Sequence, residues 1–403
     1  MSVEQHPSAP AGDSRALYVL LSVVFLNMAG FGVVIPLLPF FAKSFNAPAW
    51  QVFVLFSAFS LGNFIGEPIW GRLSDRIGRR PVLMITILAH GLSYLALAFA
   101  PNMAVALVLR LIGGAVAGNI STIQGYVADV TPPQRRSARL GLMGAAFSMG
   151  FVTGPTLGGL LAHPELGPAG FRPPLLLAAT LCFVSFLGVV RFVRESRHEH
   201  HAGPHRSRME GLRDAFSNPV VWRAISVSTI AVGGFAGMEA SFGLWSNFKF
   251  GWGPKEIGLC FMAIGVVGAL AQSLVAGRMA RRFGEPLSLI VGLTLIGIGF
   301  AVQPFVTHWQ VSLAGMIVVM MGQSITFPNI GAVISHASPP ARQGEMLGLN
   351  MSGMALARIL GPLVAAPLFD GVSPSAPFAV AALLIVPALF MGTEVRRHVR
   401  LAA

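Results

Sequence analysis

The sequence has few charged residues. Asp, Glu, Lys and Arg make up only 11% of its 403 residues, whereas 54% are hydrophobic. A soluble domain carries about 25% charged residues, so this chain lacks the polar surface that water requires. Its apolar runs reach the roughly 20 residues that cross a hydrocarbon core as a helix. The shortage of charge therefore excludes a soluble globular protein and predicts an all-α membrane protein.

Cysteine is also scarce. Cys182 and Cys260 are the only two, and both lie in apolar segments, which excludes a disulfide framework and a cysteine metal cluster. The sequence contains no G-x-x-x-x-G-K-[ST] phosphate loop, so we expect no ATP-driven step. It contains no nucleophile–base pattern either, so we expect no enzyme activity. No cofactor is expected, and a proton gradient is the predicted energy source.

Acidic residues are fewer than basic ones, 16 against 28, and the net charge is +12. Most of the basic residues fall in alternate loops or at the chain ends. The exceptions are Lys43, Arg172, Lys249 and Lys255 in the other loops, and Arg110 and Arg358 inside apolar segments. This distribution is the positive-inside bias of membrane proteins. It predicts a cytoplasmic-membrane protein with both termini in the cytoplasm, and it argues against a nucleic-acid partner.

Twelve helical spans are predicted, numbered span 1 to span 12 in chain order. They lie near residues 17–41, 50–71, 81–99, 103–126, 138–162, 173–193, 221–247, 256–277, 286–304, 310–335, 344–369 and 375–393. The predicted organisation is a cytoplasmic tail (1–16), a six-helix bundle (17–193), a linker (194–219), a second six-helix bundle (220–393) and a cytoplasmic tail (394–403). The first tail lacks the pattern of a cleaved signal peptide.

Internal repetition supports the two-bundle division. PPQRR at 132–136 corresponds to PPARQ at 339–343, and Gly154-Pro155 corresponds to Gly361-Pro362 at the same offset. A repeat of half the chain indicates a duplicated six-helix unit. Transporters built in this way bind substrate between their repeats and rock one repeat against the other.

The linker is rich in histidine and arginine. It contains His198, His200, His201 and His205. Such a tract can bind metal, but no acidic or cysteine ligand is spaced to complete a site. We therefore interpret it as a solvated connection between the bundles.

Glycine and proline form a pattern in predicted span 5. Gly150, Gly154 and Gly158 recur every fourth residue, and Pro155 and Gly159 lie beside them. Small residues at this spacing allow a neighbouring helix to approach closely, and proline bends the helix. Packing alone is a sufficient reason for the pattern. Span 11 keeps Gly361-Pro362 but has Ala365-Ala366 in place of the second glycine pair.

Four sequence motifs together carry a family resemblance. They are the loop Gly71-Arg-Leu-Ser-Asp75-Arg76-Ile-Gly78-Arg79-Arg80-Pro81, the Arg110-Leu-Ile-Gly113-Gly114 segment of span 4, the span 5 glycines, and Asn27-Met-Ala-Gly30-Phe-Gly32-Val-Val-Ile-Pro36 in span 1. The chain resembles the major facilitator superfamily, and within it the twelve-helix drug:proton antiporters that include tetracycline and multidrug exporters. The resemblance implies export, antibiotic resistance, and a cavity lined by spans 1, 4, 7 and 10. We expect a single chain to be the working unit.

The resemblance also assigns a role to the loop after span 2. It implies that Asp75, Arg76 and Asp129 form a charge network that holds the cytoplasmic side shut. Gly71 should permit tight contact with a helix of the other half, and Asp75 should face the positive N-terminal end of span 11. The loop arginines alone would serve only as an orientation signal. The second copy has Arg281 in place of Asp75, so this switch is expected on one side only.

Charges inside the membrane are the main functional candidates, because an isolated charge at the bilayer centre costs about 2.5–3.5 kcal/mol. Glu67, Arg110, Glu239 and Arg358 fall in this class. Arg110 and Glu239 are predicted at matching depth, so we expect Glu239 to be the main acid of the cavity and Arg110 to interact with it. Glu67 is a second proton-binding candidate, although a structural role is equally plausible. For Arg358 we favour a structural or gating role.

Several polar and aromatic residues could line the cavity. The polar candidates are Asn27, Asn119, Gln124, Gln323 and Asn329, each of which could instead form an interhelical hydrogen bond. Asn27 stands where many tetracycline exporters carry an acid, so the proton-binding role shifts to Glu239 or Glu67. Phe242, with Phe235 and Trp245, could form an aromatic wall, although this spacing more often indicates packing.

Three functions remain open at this point. The first is a proton-coupled exporter of small organic or drug-like molecules. The second is an importer of a sugar or organic acid on the same fold, and the third is a membrane scaffold or receptor. The span 5 motif favours export, and the buried Glu239 with Asp75 argues against a scaffold.

Overall fold

The computed structural model describes residues 13–131, 133–196 and 208–402 of the chain. Most of the predicted N-terminal tail, and His198, His200, His201 and His205 of the linker, lie outside the described residues. Within the described residues the chain is helical and contains no strand. This confirms the predicted all-α membrane fold.

In the part of the chain that the structure describes, twelve helices are long and apolar enough to cross a membrane. Spans 1 to 12 are Asp13–Val34, Ala49–Ile77, Arg79–Ala98, Met103–Asp129, Pro133–Leu161, Arg172–Phe192, Pro219–Phe250, Pro254–Phe283, Glu285–Val302, Trp309–His336, Gln343–Gly371 and Ala376–Ala402. Each matches one predicted span, with bounds that differ at the ends.

Two differences follow from local chemistry. Span 1 was predicted to reach residue 41, but it ends at Val34 and a short helix Leu38–Ser44 follows; Pro36 and Pro39 lie there, and proline cannot continue a helix. Span 2 continues through the motif after Gly71 to Ile77. The predicted loop is therefore almost entirely helical and turns only at Gly78, whose φ of 101° suits glycine.

The predicted linker is partly helical. Residues Arg208–Ser217 form a helix, and Asp214 on it pairs with Arg342 in the turn before span 11. The Asn218 side chain donates a hydrogen bond to the Ala337 carbonyl at 2.8 Å. The end of the linker is thus attached to the second half.

The two halves repeat one packing pattern. In the first half, span 1 packs on spans 5 and 6, span 2 on span 4, and span 3 on spans 4 and 6. The second half repeats these pairs with spans 7 to 12. Span 2 packs on span 11, and span 5 packs on span 8, so these two pairs join the halves.

The bundle has a basic end and a far end. We call the end with Gly78 and Arg135 the basic end, and the end with Lys43 and Asn247 the far end. At the far end the halves meet, because the Lys43 Nζ donates to the Asn247 Oδ1 at 2.6 Å and the backbones of Gly159 and Pro254 touch.

Contact between the halves is lost toward the basic end. In span 5, a methyl group added at Gly141 or Gly144 would meet no described atom within 4 Å outside the backbone of its own helix, and in span 11 the same holds for Gly344 and Gly348. These glycines lie on the basic-end halves of the two helices that cross the interface. The structure is therefore closed at the far end and open toward the basic end.

The span 5 glycines explain the closed far half. A Cβ at Gly154 would overlap the Ala29 carbonyl and lie 2.8 Å from the Gly32 Cα, and a Cβ at Gly150 would lie 2.8 Å from the Met28 Cβ. The stripe therefore packs span 5 directly on span 1, as its spacing predicted. Gly159 extends the same close approach to span 8 of the other half.

This packing generates a prediction. Gly154→Ala adds one methyl group where there is no space, and overpacking of this kind costs about 1–3 kcal/mol. We expect it to lower the melting temperature of the detergent-solubilised protein, measured by fluorescence-detected gel filtration after heating. Gly144→Ala on the same helix is the matched control and should leave that temperature unchanged or slightly higher. Equal melting temperatures for the two variants would contradict the packing account.

Candidate functional site

A small cavity lies where the two halves meet. Its lining comes from spans 1, 2, 4, 7 and 11, and consists of Phe31, Phe56, Phe59, Ser60, Arg110, Ala236, Glu239, Arg358 and Pro362. The cavity volume is about 20 Å³, which is room for about one water. A drug-sized ligand needs roughly 300 Å³ or more, so such a ligand requires a wider state of the cavity.

Glu239 and Arg110 face this cavity together, as their predicted depths implied. Glu239 is 7% exposed and Arg110 is 3% exposed. Arg110 is positioned by span 4, and its guanidinium lies over the Phe59 ring, 4.3 Å from the ring centroid. This cation–π contact holds the arginine in an apolar setting and orients it at the cavity wall.

Arg358 is the third charged residue of the cavity. The outward stripe of span 11 contains Leu356, Leu360 and Val364, all exposed. Arg358 lies half a helical turn away from this stripe, so it points between the halves. Its charge and that of Arg110 both attract the Glu239 carboxyl. Span 11 thus contributes a cavity cation, whereas the sequence favoured a structural or gating role for Arg358.

A buried polar layer lies behind Phe59. The Phe59 ring is 6.2 Å from the His90 ring, which is 4.5 Å from the Tyr94 ring. His90 Nε2 and Tyr94 Oη are buried and have no hydrogen-bond partner among the described residues. Sequence reasoning did not select these residues, because a single His or Tyr in an apolar helix carries no distinctive signal.

The other polar candidates lie away from the cavity lining. Asn119 donates to Thr86 Oγ1 at 3.2 Å, and Asn329 donates to the Ile325 carbonyl at 2.6 Å. The Asn27 amide oxygen faces the Cys182 thiol at 4.0 Å. These side chains serve contacts between or within helices in this conformation.

Gln323 and Gln124 differ from these three in their surroundings. Gln323 is 6% exposed, and its Nε2 has no hydrogen-bond partner within the described part of the chain. Gln124 is exposed. Neither lines the cavity in this state.

Phe242 belongs to a packed aromatic cluster. Its ring lies 6.0 Å from Trp245, 6.4 Å from Trp252 and 5.8 Å from Phe261, measured between centroids, and it is fully buried. The aromatic wall of the cavity is instead formed by Phe31, Phe56 and Phe59. Spans 1 and 2 supply this wall because they face the cavity, whereas the Phe242 side of span 7 faces its own half.

Glu67 lies at a break in span 4. The span divides there into Met103–Ala117 and Ile120–Asp129. The Gly118 backbone packs against Glu67, and the Glu67 carboxyl meets the Ser121 backbone at the start of the second helix. A carboxylate is stabilised at a helix N-terminus, so this position fits the structural role that the sequence left open for Glu67.

Arg79 is the centre of the charged network at the basic end. Its guanidinium pairs with Asp75 at 3.0 Å and with Asp129 at 3.3 Å, and it donates to Ser74 Oγ at 2.6 Å. The sequence assigned this network to Asp75, Arg76 and Asp129. Here Arg79 joins the two acids, because the turn at Gly78 directs it back toward both.

Gly71 approaches a helix of its own half. The nearest atom to a Cβ at this position is Ser121 Oγ of span 4, at 3.5 Å. A contact with the second half was expected. The halves are apart at the basic end in this conformation, so the glycine faces span 4.

Glu195 completes the network and was not foreseen. Its carboxylate accepts hydrogen bonds from the backbone N–H of Arg79 at 2.9 Å and of Arg80 at 3.1 Å. It therefore caps span 3, which starts without a side-chain cap of its own. The next residue, Ser196, donates to Asp129 Oδ2 at 3.2 Å, so the start of the linker is attached to the network. Long-range capping of this kind leaves no local sequence signal.

Within the described residues, no cluster of three His, Cys, Asp or Glu side chains could hold a metal ion. The chemistry that the site offers is charge pairing. One acid and two arginines face an apolar cavity between two halves that open at one end.

Comparisons with known proteins agree with this arrangement. The family model described as Major Facilitator Superfamily matches residues 20–275 and 244–402. The tetracycline resistance protein of class C from Escherichia coli is 30% identical over 369 residues, which cover 89% of this chain and 90% of the relative. Multidrug resistance protein 2 of Bacillus subtilis is 28% identical and covers 92% of each chain.

Solved structures share the fold. A bacterial homologue of the human lysosomal transporter Spinster, in an inward-facing and occupied conformation, has a TM-score of 0.80 at 13% identity, covering 97% of this chain and 98% of that one. The human organic anion transporter MFSD10 has a TM-score of 0.71 at 24% identity, covering 96% and 100%. The twelve spans among the described residues, the duplicated packing and matches over most of the chain lead to one conclusion: the chain belongs to the major facilitator superfamily of membrane transporters.

Proposed function

We propose that this protein exports small organic, drug-like molecules in exchange for protons by alternating access. The observation that carries the proposal is Glu239, an acid in the cavity between the halves, flanked by Arg110 and Arg358. A carboxyl group in this place can bind either a proton or the cationic group of a substrate. Competition for one charge is the minimal requirement for exchange.

The direction of transport is supported by the relatives. They include proteins named for resistance to tetracycline and to multiple drugs, and one from Staphylococcus aureus named for quinolone resistance. A membrane transporter can confer resistance of this kind by removing the compound from the cell. The alternative function is import of a sugar or organic acid on the same fold. The vesicle experiment below distinguishes import from export.

The conformation supports alternating access. The far end is closed by the contacts of Lys43 with Asn247 and of Gly159 with Pro254, while the basic end is open. If the basic end is cytoplasmic, this state accepts substrate from the cytoplasm. Rocking of the halves would open the far end and close the basic end, where Asp75, Arg79 and Asp129 are placed to change partners.

The proposed location is the cytoplasmic membrane of the cell, with both termini in the cytoplasm and one chain as the transporting unit. The arginine-rich loops support this orientation. The cavity lining comes from both halves of one chain, which supports a single chain as the transporting unit. No cofactor takes part, and the proton gradient supplies the energy.

The first prediction concerns Glu239. Glu239→Gln removes the titrating group without changing its size, so proton movement on substrate addition should fall about tenfold or more. The measurement uses inverted membrane vesicles with an acid-sensitive dye, with a panel of drug-like amines and with sugars. Glu67→Gln is the matched control and should retain coupling, because Glu67 lies at the span 4 break. Full coupling in Glu239→Gln would exclude this acid, and sugar-driven proton symport would exclude export.

The second prediction concerns the network at the basic end. Asp75→Asn removes one partner of Arg79 and should leave the protein folded and inserted, yet slow transport severalfold. Drug accumulation in cells, normalised to the amount of protein in the membrane, provides the measurement. Asp370→Asn, at an exposed acid near the far end, is the control. An unchanged transport rate in Asp75→Asn would remove the network from the transport cycle.

The third prediction concerns orientation. In a background with Cys182 and Cys260 replaced by serine, Ser217→Cys at the basic end should react with a membrane-impermeant maleimide only after the cells are opened. Glu165→Cys at the far end should react in intact cells. Both positions are exposed. The reverse labelling pattern would invert the proposed orientation.

A further inference from the structure

The cavity contains more positive than negative charge. Arg110 and Arg358 line it, and Glu239 is the only acid among the described residues of its lining. With Glu239 ionised, one positive charge is left over, and with Glu239 protonated, two are left over. Since uncompensated charge in an apolar cavity is costly, a ligand that brings a negative group is favoured, and a purely cationic ligand is not.

A purely anionic ligand fails for a different reason. An anion would pair with the two arginines and neutralise their charges. The Glu239 carboxyl group would then have no positive neighbour. The carboxyl group would then hold its proton more firmly, so the proton and the anion would bind together. That is the opposite of the exchange proposed above, on which this inference rests. Exchange requires that the ligand also carry a cationic group that competes with the proton for Glu239.

The two arginines are not equivalent as anion receptors. Arg110 is almost fully buried and is stacked on Phe59 at 4.3 Å. Arg358 is exposed as well as lining the cavity, so it is the arginine that a ligand from the basic end can reach. A guanidinium group can bind a carboxylate through two parallel hydrogen bonds.

The apolar part of the lining indicates the rest of the ligand. Phe31 and Phe59 lie 5.2 Å apart between ring centroids, and Phe56 lines the same wall. Aromatic side chains favour stacked or edge-on contact with a planar ring. The wall and the charges lie around a single space, so one ligand can contact both.

We propose that Arg358 binds the acidic group of a zwitterionic, planar aromatic substrate whose protonated amine pairs with Glu239. In the empty protein, the positive charges of Arg358 and Arg110 stabilise the Glu239 carboxylate. When Glu239 is protonated, the two arginines lie beside a neutral acid. When the substrate enters, its acidic group binds Arg358 and its protonated amine binds the Glu239 carboxylate. A proton on Glu239 is released to water at the open end as the carboxylate forms, so the positive excess of the cavity falls from two charges to one.

Matched ligands test this assignment. The first set is a piperazinyl quinolone carboxylic acid, its methyl ester, which is only cationic, and its N-acetyl derivative, which is only anionic. The second set has the same three forms of an aminomethyl-naphthalene carboxylic acid. Binding to the purified protein is measured by fluorescence without a proton gradient. We expect the zwitterion of each set to bind about tenfold or more tightly than either relative, because each lost charged contact is worth about a factor of ten.

Arg358→Gln separates recognition from folding. It should weaken binding of the zwitterion about tenfold and leave binding of the ester unchanged or tighter, which also shows that the variant is folded. Arg358→Lys should give an intermediate loss. Arg223→Gln, at an arginine outside the cavity lining that bonds to the Pro219 carbonyl, is the matched control and should leave both affinities unchanged.

Several results would overturn the assignment. They are equal binding of ester and zwitterion, equal binding of the anionic form and the zwitterion, parallel weakening of ester and zwitterion in Arg358→Gln, or no binding in either set. The proposed exchange is tested separately, by proton release in vesicles on addition of a drug-like amine at a concentration that saturates its binding. Loss of that proton release with retained preference for the zwitterion would instead reject exchange and keep Arg358 as the acid receptor.

Discussion

The cost of a charge inside an apolar bilayer is the constraint on which the rest of this structure depends. A chain with so few charges can keep one in a membrane span only where it faces a partner or water. Arg110, Glu239 and Arg358 meet this requirement together, because the two halves bring them to one cavity. The same constraint places most of the remaining arginines at one end, where they anchor the bundle in the membrane.

Close backbone packing is what brings these charges together. The glycines of span 5 let it lie directly on span 1, and the equivalent Gly361 lets span 11 lie on span 7 beside Gly233 and Gly237. Arg358 and Glu239 lie on this second pair of helices. The packing motif and the charged cavity therefore depend on each other, because the depth and direction of the charged side chains are set by how closely the helices approach.

At the basic end, ion pairs and a helix cap connect the elements, whereas elsewhere close backbone packing does so. Arg79 joins Asp75 to Asp129, and Glu195 caps the helix that carries Arg79. The motif after span 2, the end of span 4 and the start of the linker are thus connected in one network at the open end. Ion pairs whose acids are partly exposed, as Asp75 and Asp129 are, are weak enough to change partners, which suits a place where two halves separate and meet.

By itself, the sequence determined the twelve spans, the duplication, and the choice of Glu239 with Arg110 as facing residues, because hydropathy, repetition and charge depth are local properties of the chain. The tertiary structure alone decided the cavity wall and the partners. Phe242 packs in an aromatic cluster, and the cavity wall is formed by Phe31, Phe56 and Phe59 instead. Arg358 lines the cavity with Glu239, although span 11 was not expected to contribute. Glu195 reached Arg79 from more than a hundred residues away. The direction of a side chain depends on the rotation of its helix against neighbours, and that rotation is set by contacts between distant segments.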